Sequence, residues 1–177
     1  LRKRLPWLAL LLGGQLLTTV ALTQFYALPL FAVLVLFMPL INSPAGNTGT
    51  QMSALILRSL AVAEMDVADW WRVLLRELAR GVALGAALAA LGFGAALGFA
   101  YLVDTQDHAP GQIALAVAAA LAVMVLLANV VGAMLPFFFK RVGLDPAVTS
   151  GPFIASVMDV TGILVYFGIG LFLLQTL

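Results

Sequence analysis

Residues 144–162 read LDPAVTSGPFIASVMDVTG, and the residue that governs the reading of the chain is Asp159. It is a carboxylate inside an apolar run that continues as VTGILVYFGIGLFLLQTL, with no Lys or Arg in the span to pair with it. A helix starting near Val148 carries Asp159 about eleven residues in, roughly 16 Å along the axis, close to the middle of a hydrocarbon core ~30 Å thick. An Asp at a helix centre costs about 2.5 to 3.5 kcal/mol to insert, so such a residue faces a bundle interior, a wet cavity or an ion path. The plain alternative is a protonated Asp hydrogen-bonded to a neighbouring helix as packing glue.

Working outward, the composition supports a membrane setting. Of 177 residues, 63% are hydrophobic and 10% charged, and the mean hydropathy is +1.11. A soluble core of that length cannot hide so much apolar surface, which makes the chain an all-α integral membrane protein. The net charge of +1 gives no reason to expect nucleic acid as a partner. The absence of Cys rules out disulfides, thiolate metal sites and cysteine nucleophiles, and a single His108 rules out a multi-histidine site within one chain. Arg2, Lys3 and Arg4 before an apolar run imitate a signal peptide, but the run is nearer a full span and no clear cleavage motif follows. A start at Leu1 rather than Met reads as a piece of a longer protein.

Five segments are long enough to cross a bilayer, at about residues 5–25, 28–60, 81–103, 112–139 and 149–175. All nine basic residues fall on one side of these spans: Arg2, Lys3 and Arg4, then Arg58, Arg72, Arg76 and Arg80, then Lys140 and Arg141. Asp104 and Asp107 fall on the other. The positive-inside rule then puts the N-terminus in the cytoplasm and the C-terminus outside. In the first span Gln15 is the strongly polar interior residue, and a hydrogen bond to another helix is its expected role. The second span is interrupted by NSPAGNTGTQ, residues 42–51. Pro39 and Pro44 lack backbone N–H groups and release the carbonyls of Val35 and Leu40, and irregular backbone in lipid is tolerated only where it is buried or lines a wet cavity.

Residues 64–80 predict an amphipathic helix lying in the interface against anionic lipid, capped by Asp66 or Asp69, with Arg72, Arg76 and Arg80 on one stripe. In the third span Gly81, Gly85 and Ala89, then Gly94 and Gly98, predict close helix packing. Asp104, Gln106, Asp107 and His108 read as a solvated outer turn. The fourth span carries Asn129, Gly132 and Pro136, and in the fifth Pro152 releases the carbonyl of Val148 ahead of Asp159. Polar groups or broken backbone thus converge at one depth from three segments.

No Ser/His/Asp set is present, and Gly46-Asn47-Thr48-Gly49 lacks the lysine of a phosphate-binding loop, so the chain does not read as an enzyme. What it offers are hard oxygen groups suited to Mg²⁺ or Ca²⁺: Asp159, Asn47, Thr48, Gln51, Asn129, Thr149, Ser156 and freed carbonyls. One Asp does not neutralise a divalent ion, whereas a two-fold dimer with facing fifth spans brings two together. Mg²⁺ dehydrates reluctantly, so contact through its waters is expected.

Three ordered motifs now carry a resemblance that covers essentially the whole chain: PLINSPAGNTGTQ at 39–51; Asn129-Val130-Val131-Gly132 with Pro136; and Asp145-Pro146-Ala147 through Ser150-Gly151-Pro152 to Asp159 and Gly162. The chain resembles the membrane domain of the MgtE family of magnesium channels. The resemblance implies a homodimer of five-helix subunits in the inner membrane of a prokaryote, with a central cation pore built mainly from the second and fifth helices. It maps an intramembrane Asp that recognises hydrated Mg²⁺ onto Asp159. It maps Gly46-Asn47-x-Gly49 onto the second helix of the pore wall, and together with the polar and proline positions above, the expected pathway is lined from Pro44, Gly46, Asn47, Thr48, Gly49, Asn129, Gly151, Pro152, Ser156 and Gly162. Full-length relatives also carry cytoplasmic N-terminal and CBS domains, which lie outside residues 1–177. Ala155 stands where many members have a hydroxyl, leaving Ser156 the nearest hydroxyl to the Asp. The function expected is passive, potential-driven Mg²⁺ uptake, with other divalent cations as further candidates. Its rivals are a proton-coupled divalent-cation transporter and a non-conducting membrane subunit in which Asp159 only packs.

Overall fold

The computed structural model describes residues 5–28, 31–103, 108–144 and 146–176, without the side chains of residues 7, 146–150, 175 and 176. Among them all the regular structure is helical: α1 (Leu5–Thr23), α2 (Phe31–Ala61), a 3₁₀ turn (Val67–Asp69), α3 (Trp70–Ala100), α4 (Pro110–Arg141) and α5 (Pro146–Thr176). Four of these segments are long and apolar enough to cross a membrane, while α1 contributes a shorter apolar stretch, Leu8–Thr23. The described parts of the connections at 61–70 and 141–146 share one end of the bundle with Arg58, Arg72, Lys140 and Arg141, which we call the basic end. Arg2, Lys3, Arg4, Asp104, Gln106, Asp107 and Asp145 lie outside the described residues, as does the side chain of Thr149.

Helix α4 is the hub. It packs on α2, α3 and α5, and its small-residue faces supply much of the core: Ala114, Val117, Ala120, Met124 and Ala128 are buried with Val33, Leu34, Phe37 and Ile41 of α2 and Ile154, Met158, Ile163 and Phe167 of α5. Helix α1 leans chiefly on α5. At their far end Phe25 stacks on Phe167 with ring centroids 4.9 Å apart, and Phe31 stacks on the same ring at 5.6 Å.

Glycines fix the closest crossings. A Cβ on Gly132 of α4 would meet the backbone of Gly49 in α2, with the Gly49 carbonyl carbon and Cα at 2.9 Å. Gly49 in turn lies under Ile154 of α5 and the Ala128 carbonyl. On α3, a Cβ at Gly85 would stand 2.8 Å from the Ala122 carbonyl oxygen, and one at Gly92 would stand 2.6 Å from Leu121. The contact stripe of α3 is therefore Gly81, Gly85, Gly92, Ala96 and Ala100, all buried. Gly94 and Gly98, expected to pack, face open space instead.

Two further expectations need correction. The second span, expected over 28–60, is one helix, α2 from Phe31 to Ala61 with Pro39 and Pro44 inside it, so the polar stretch 42–51 forms no backbone break. Each proline removes one N–H, and flanking turns hold the helix together. Residues 64–80 are not a helix of their own either. Asp66 caps the 3₁₀ turn, its Oδ1 accepting from the Val67 N–H at 2.6 Å while the Asp66 N–H donates to Asp69 at 3.0 Å. From Trp70 one helix runs through Arg80 and Gly81 to Ala100. Nothing in that sequence breaks a helix, and Gly81 sits in close contact, where a Cβ would stand 2.9 Å from Leu126 Cδ1 and 3.4 Å from Asn129 Cβ.

Candidate functional site

A residue steps round an α-helix by about 100°, so the neighbours of α5 fix the direction in which Asp159 looks. Gly162 lies against the Asn42 side chain of α2, and Ser156 lies against Gly14 of α1. Asp159 is about 60° round the helix from each, between them, and therefore faces the gap between α2 and α1. Its side chain is neither sealed in the core nor fully open. Gln15 of α1 reaches across, its Nε2 donating to Asp159 Oδ2 at 2.8 Å. The helix-to-helix hydrogen bond expected of Gln15 is present, and its acceptor is the intramembrane carboxylate.

The α2 wall of this gap is polar. Ser43, Asn47 and Gln51 follow one another at four-residue spacing and are all exposed, with Asn42, Gly46 and Thr50 half-buried beside them. Thr50 is satisfied locally, its hydroxyl donating to the carbonyls of Gly46 at 2.9 Å and Asn47 at 3.0 Å. The side chains of Ser43, Asn47 and Gln51 make no hydrogen bond within the described residues. On α5 the floor of the gap includes Pro152, exposed, and Gly151, half-buried with open space at its Cα. Gly46 is likewise open. Pro44 is half-buried on α2.

Other residues on the expected pathway are used for packing. Thr48 and Gly49 are buried, and Gly49 closes against α4 and α5. Gly162 is buried under Asn42. Ser156 sits on the α1 side, where Leu10, Leu11, Gly13, Gly14 and Leu17 of α1 meet Phe153, Val157 and Val160 of α5 along an apolar groove.

Asn129 is the largest departure. It is buried on the opposite side of α4, where its Nδ2 donates to the Glu77 main-chain carbonyl at 2.8 Å and to Glu77 Oε2 at 3.3 Å. Glu77 is 1% exposed, and its Oε1 also accepts from Arg76 Nε at 3.0 Å and Arg80 Nη1 at 2.7 Å. A buried carboxylate needs such donors, since desolvation disfavours it otherwise. Two of the three arginines expected to meet lipid are thus turned toward an internal acid, and the third, Arg72, lies 3.5 Å from Asp69. The signal for Glu77 was in its spacing: Val73, Glu77, Gly81 and Gly85 recur every fourth residue, so the acid falls on the contact stripe. Among the described residues no group of three or more His, Cys, Asp or Glu forms a metal-holding cluster, so a cation in the α1–α2 gap would meet one carboxylate per chain.

Comparison with known proteins matches residues 38–169 to the MgtE model, described as a divalent cation transporter. The magnesium transporter MgtE of Thermus thermophilus is 35% identical over 175 residues, which is 97% of this chain and 36% of that protein. Those of Enterococcus faecalis and Bacillus subtilis are 33% and 31% identical over 168 residues, 94% of this chain and 35% and 36% of theirs. The chain spans little more than a third of the length of these relatives. With most of its length matched by the family model, from the polar wall of α2 through Asp159, the chain belongs to the MgtE family.

Proposed function

We propose that the chain is a Mg²⁺-conducting membrane domain that works as a homodimer, five spans per subunit, with the basic end in the cytoplasm. The observation that supports this best is the gap between α1 and α2, where a lone carboxylate and an unpartnered polar stripe, Ser43, Asn47 and Gln51, open outward from otherwise apolar helices. Exposed to lipid, each such group would be costly, whereas facing a wet cavity shared with a second copy it is hydrated. The two-fold axis brings two Asp159 carboxylates near one ion, with Asn47, Gly46, Gly151 and Pro152 around the water-filled approach. Mg²⁺ holds its inner waters tightly, so the carboxylates and amides act on those waters as acceptors. The membrane potential supplies about 4.6 kcal/mol per 100 mV for a divalent ion moving inward, without a coupled proton. That the named relatives are magnesium transporters supports the choice of ion.

The test is Mg²⁺ flux into liposomes holding this chain, under a fixed membrane potential and no pH gradient. Wild type conducts, and Asp159→Asn and Asp159→Ala fail while remaining folded dimers. Equal flux in all three makes Asp159 a packing residue and ends the proposal.

A further inference from the structure

We propose that Gln15 is the positioning residue of the cation site, holding the Asp159 carboxylate in one orientation and adding a second acceptor from α1. This rests on Asp159 being the cation site. The Gln15 amide nitrogen donates to Asp159 Oδ2 at 2.8 Å. The amide is neutral. It fixes the rotation of the carboxylate without neutralising it, as Lys or Arg would, and leaves Oδ1 free to accept from the waters of an ion. With its nitrogen committed to Asp159, the exposed Gln15 keeps its carbonyl oxygen Oε1 as an acceptor that no hydrogen bond among the described residues uses. Each subunit then offers two oxygens from two helices. A hydrated cation of the right radius engages both, and a larger or partly dehydrated one does not.

The carrier of this geometry is the docking of α1 on α5. Gly14, next to Gln15 in sequence, lies against Ser156, three residues before Asp159. Between the start of α1 and Gln15 the residues are largely exposed and apolar, including Leu5, Leu8, Leu10 and Leu12. Gln15–Asp159 is the sole side-chain hydrogen bond between α1 and another helix among the described residues.

The experiment is Mg²⁺ flux in proteoliposomes over a range of concentrations, with Ca²⁺ flux alongside, for wild type, Gln15→Met, Gln15→Glu and Asp159→Asn. Met keeps the length of the side chain and removes the amide. It is expected to raise the half-saturating Mg²⁺ concentration about tenfold, as for one lost hydrogen bond to a charged group, and to narrow the Mg²⁺ over Ca²⁺ preference. Gln15→Glu keeps the shape and puts a second carboxyl beside Asp159. Since the pair holds a proton that a cation must displace, the half-saturating concentration falls below wild type as the pH is raised, and the maximal flux falls with it as release slows. A residue that only holds α1 in place would not shift the two variants in opposite directions. If Asp159→Asn abolishes flux while both Gln15 variants keep the wild-type half-saturation, the positioning role is refuted and the cation site stands. If Asp159→Asn conducts like wild type, the cation site fails and the role of Gln15 with it.

Discussion

Gly132→Ala is the sharpest test of how α2 and α4 meet. The added methyl would arrive 2.9 Å from the Cα and carbonyl carbon of Gly49 and closer still to its carbonyl oxygen. Normal carbon–carbon contact is about 3.5 to 4.0 Å. Since the obstacle is backbone and not a side chain that can turn, the two helices must separate, at the upper end of the roughly 1 to 3 kcal/mol that overpacking costs. Gly46→Ala is the matched control: it sits in α2 one turn from Gly49 with no atom within 4 Å of the new methyl. Replacing a helical Gly by Ala there gains about 1 kcal/mol. The two variants should therefore differ by roughly 3 to 4 kcal/mol, or about 10 °C in apparent melting temperature for a chain of this size. Scans of the purified protein in detergent at one heating rate, read by loss of the folded elution peak, measure the gap. Gly132→Ala melting at or above Gly46→Ala would refute the crossing as described.

Asn129→Leu should cost about 1 to 3 kcal/mol, because it leaves the Glu77 carbonyl and carboxylate short of a donor in a buried place. The cost should shrink by at least about 0.5 kcal/mol in a Glu77→Gln background, measured as a double-mutant cycle of melting temperatures; strict additivity would contradict the pairing. Tyr166→Phe should leave stability unchanged or raise it by about 1 kcal/mol, since the Tyr166 hydroxyl is buried with no hydrogen-bond partner among the described residues. A loss larger than about 1 kcal/mol in the same scans would show that this hydroxyl has a partner in the assembled protein.

Hydropathy made the membrane class and most span limits legible, because lipid demands long apolar runs whatever their neighbours. The carboxylate at 159 and the amide at 15 also stood out, each being a strong polar group in a run that otherwise has few. Direction round the helix was what the sequence withheld. Counting residues places Asn129 and Asn47 at a similar depth but gives no azimuth, and they turn out to face opposite sides: Asn47 opens outward from α2 while Asn129 is sealed against α3. Gly49 and Gly162 read as pathway residues from depth alone, and the geometry adds that both sit at close helix crossings. The polar stretch 42–51 looked like a break because Asn, Gly and Pro disfavour helices in water. In α2 helical geometry persists through it, since a helix satisfies its backbone groups within the segment whichever side its polar residues face.

The docking of α1 also bears on the order of assembly. Its principal partner is α5, the last of the five helices, and Gln15 and Asp159 are 144 residues apart in sequence. Without α5, α1 has lost its principal partner and the Gln15 amide its acceptor. The arrival of α5 therefore does two jobs at once, delivering the carboxylate and recruiting the first helix to it.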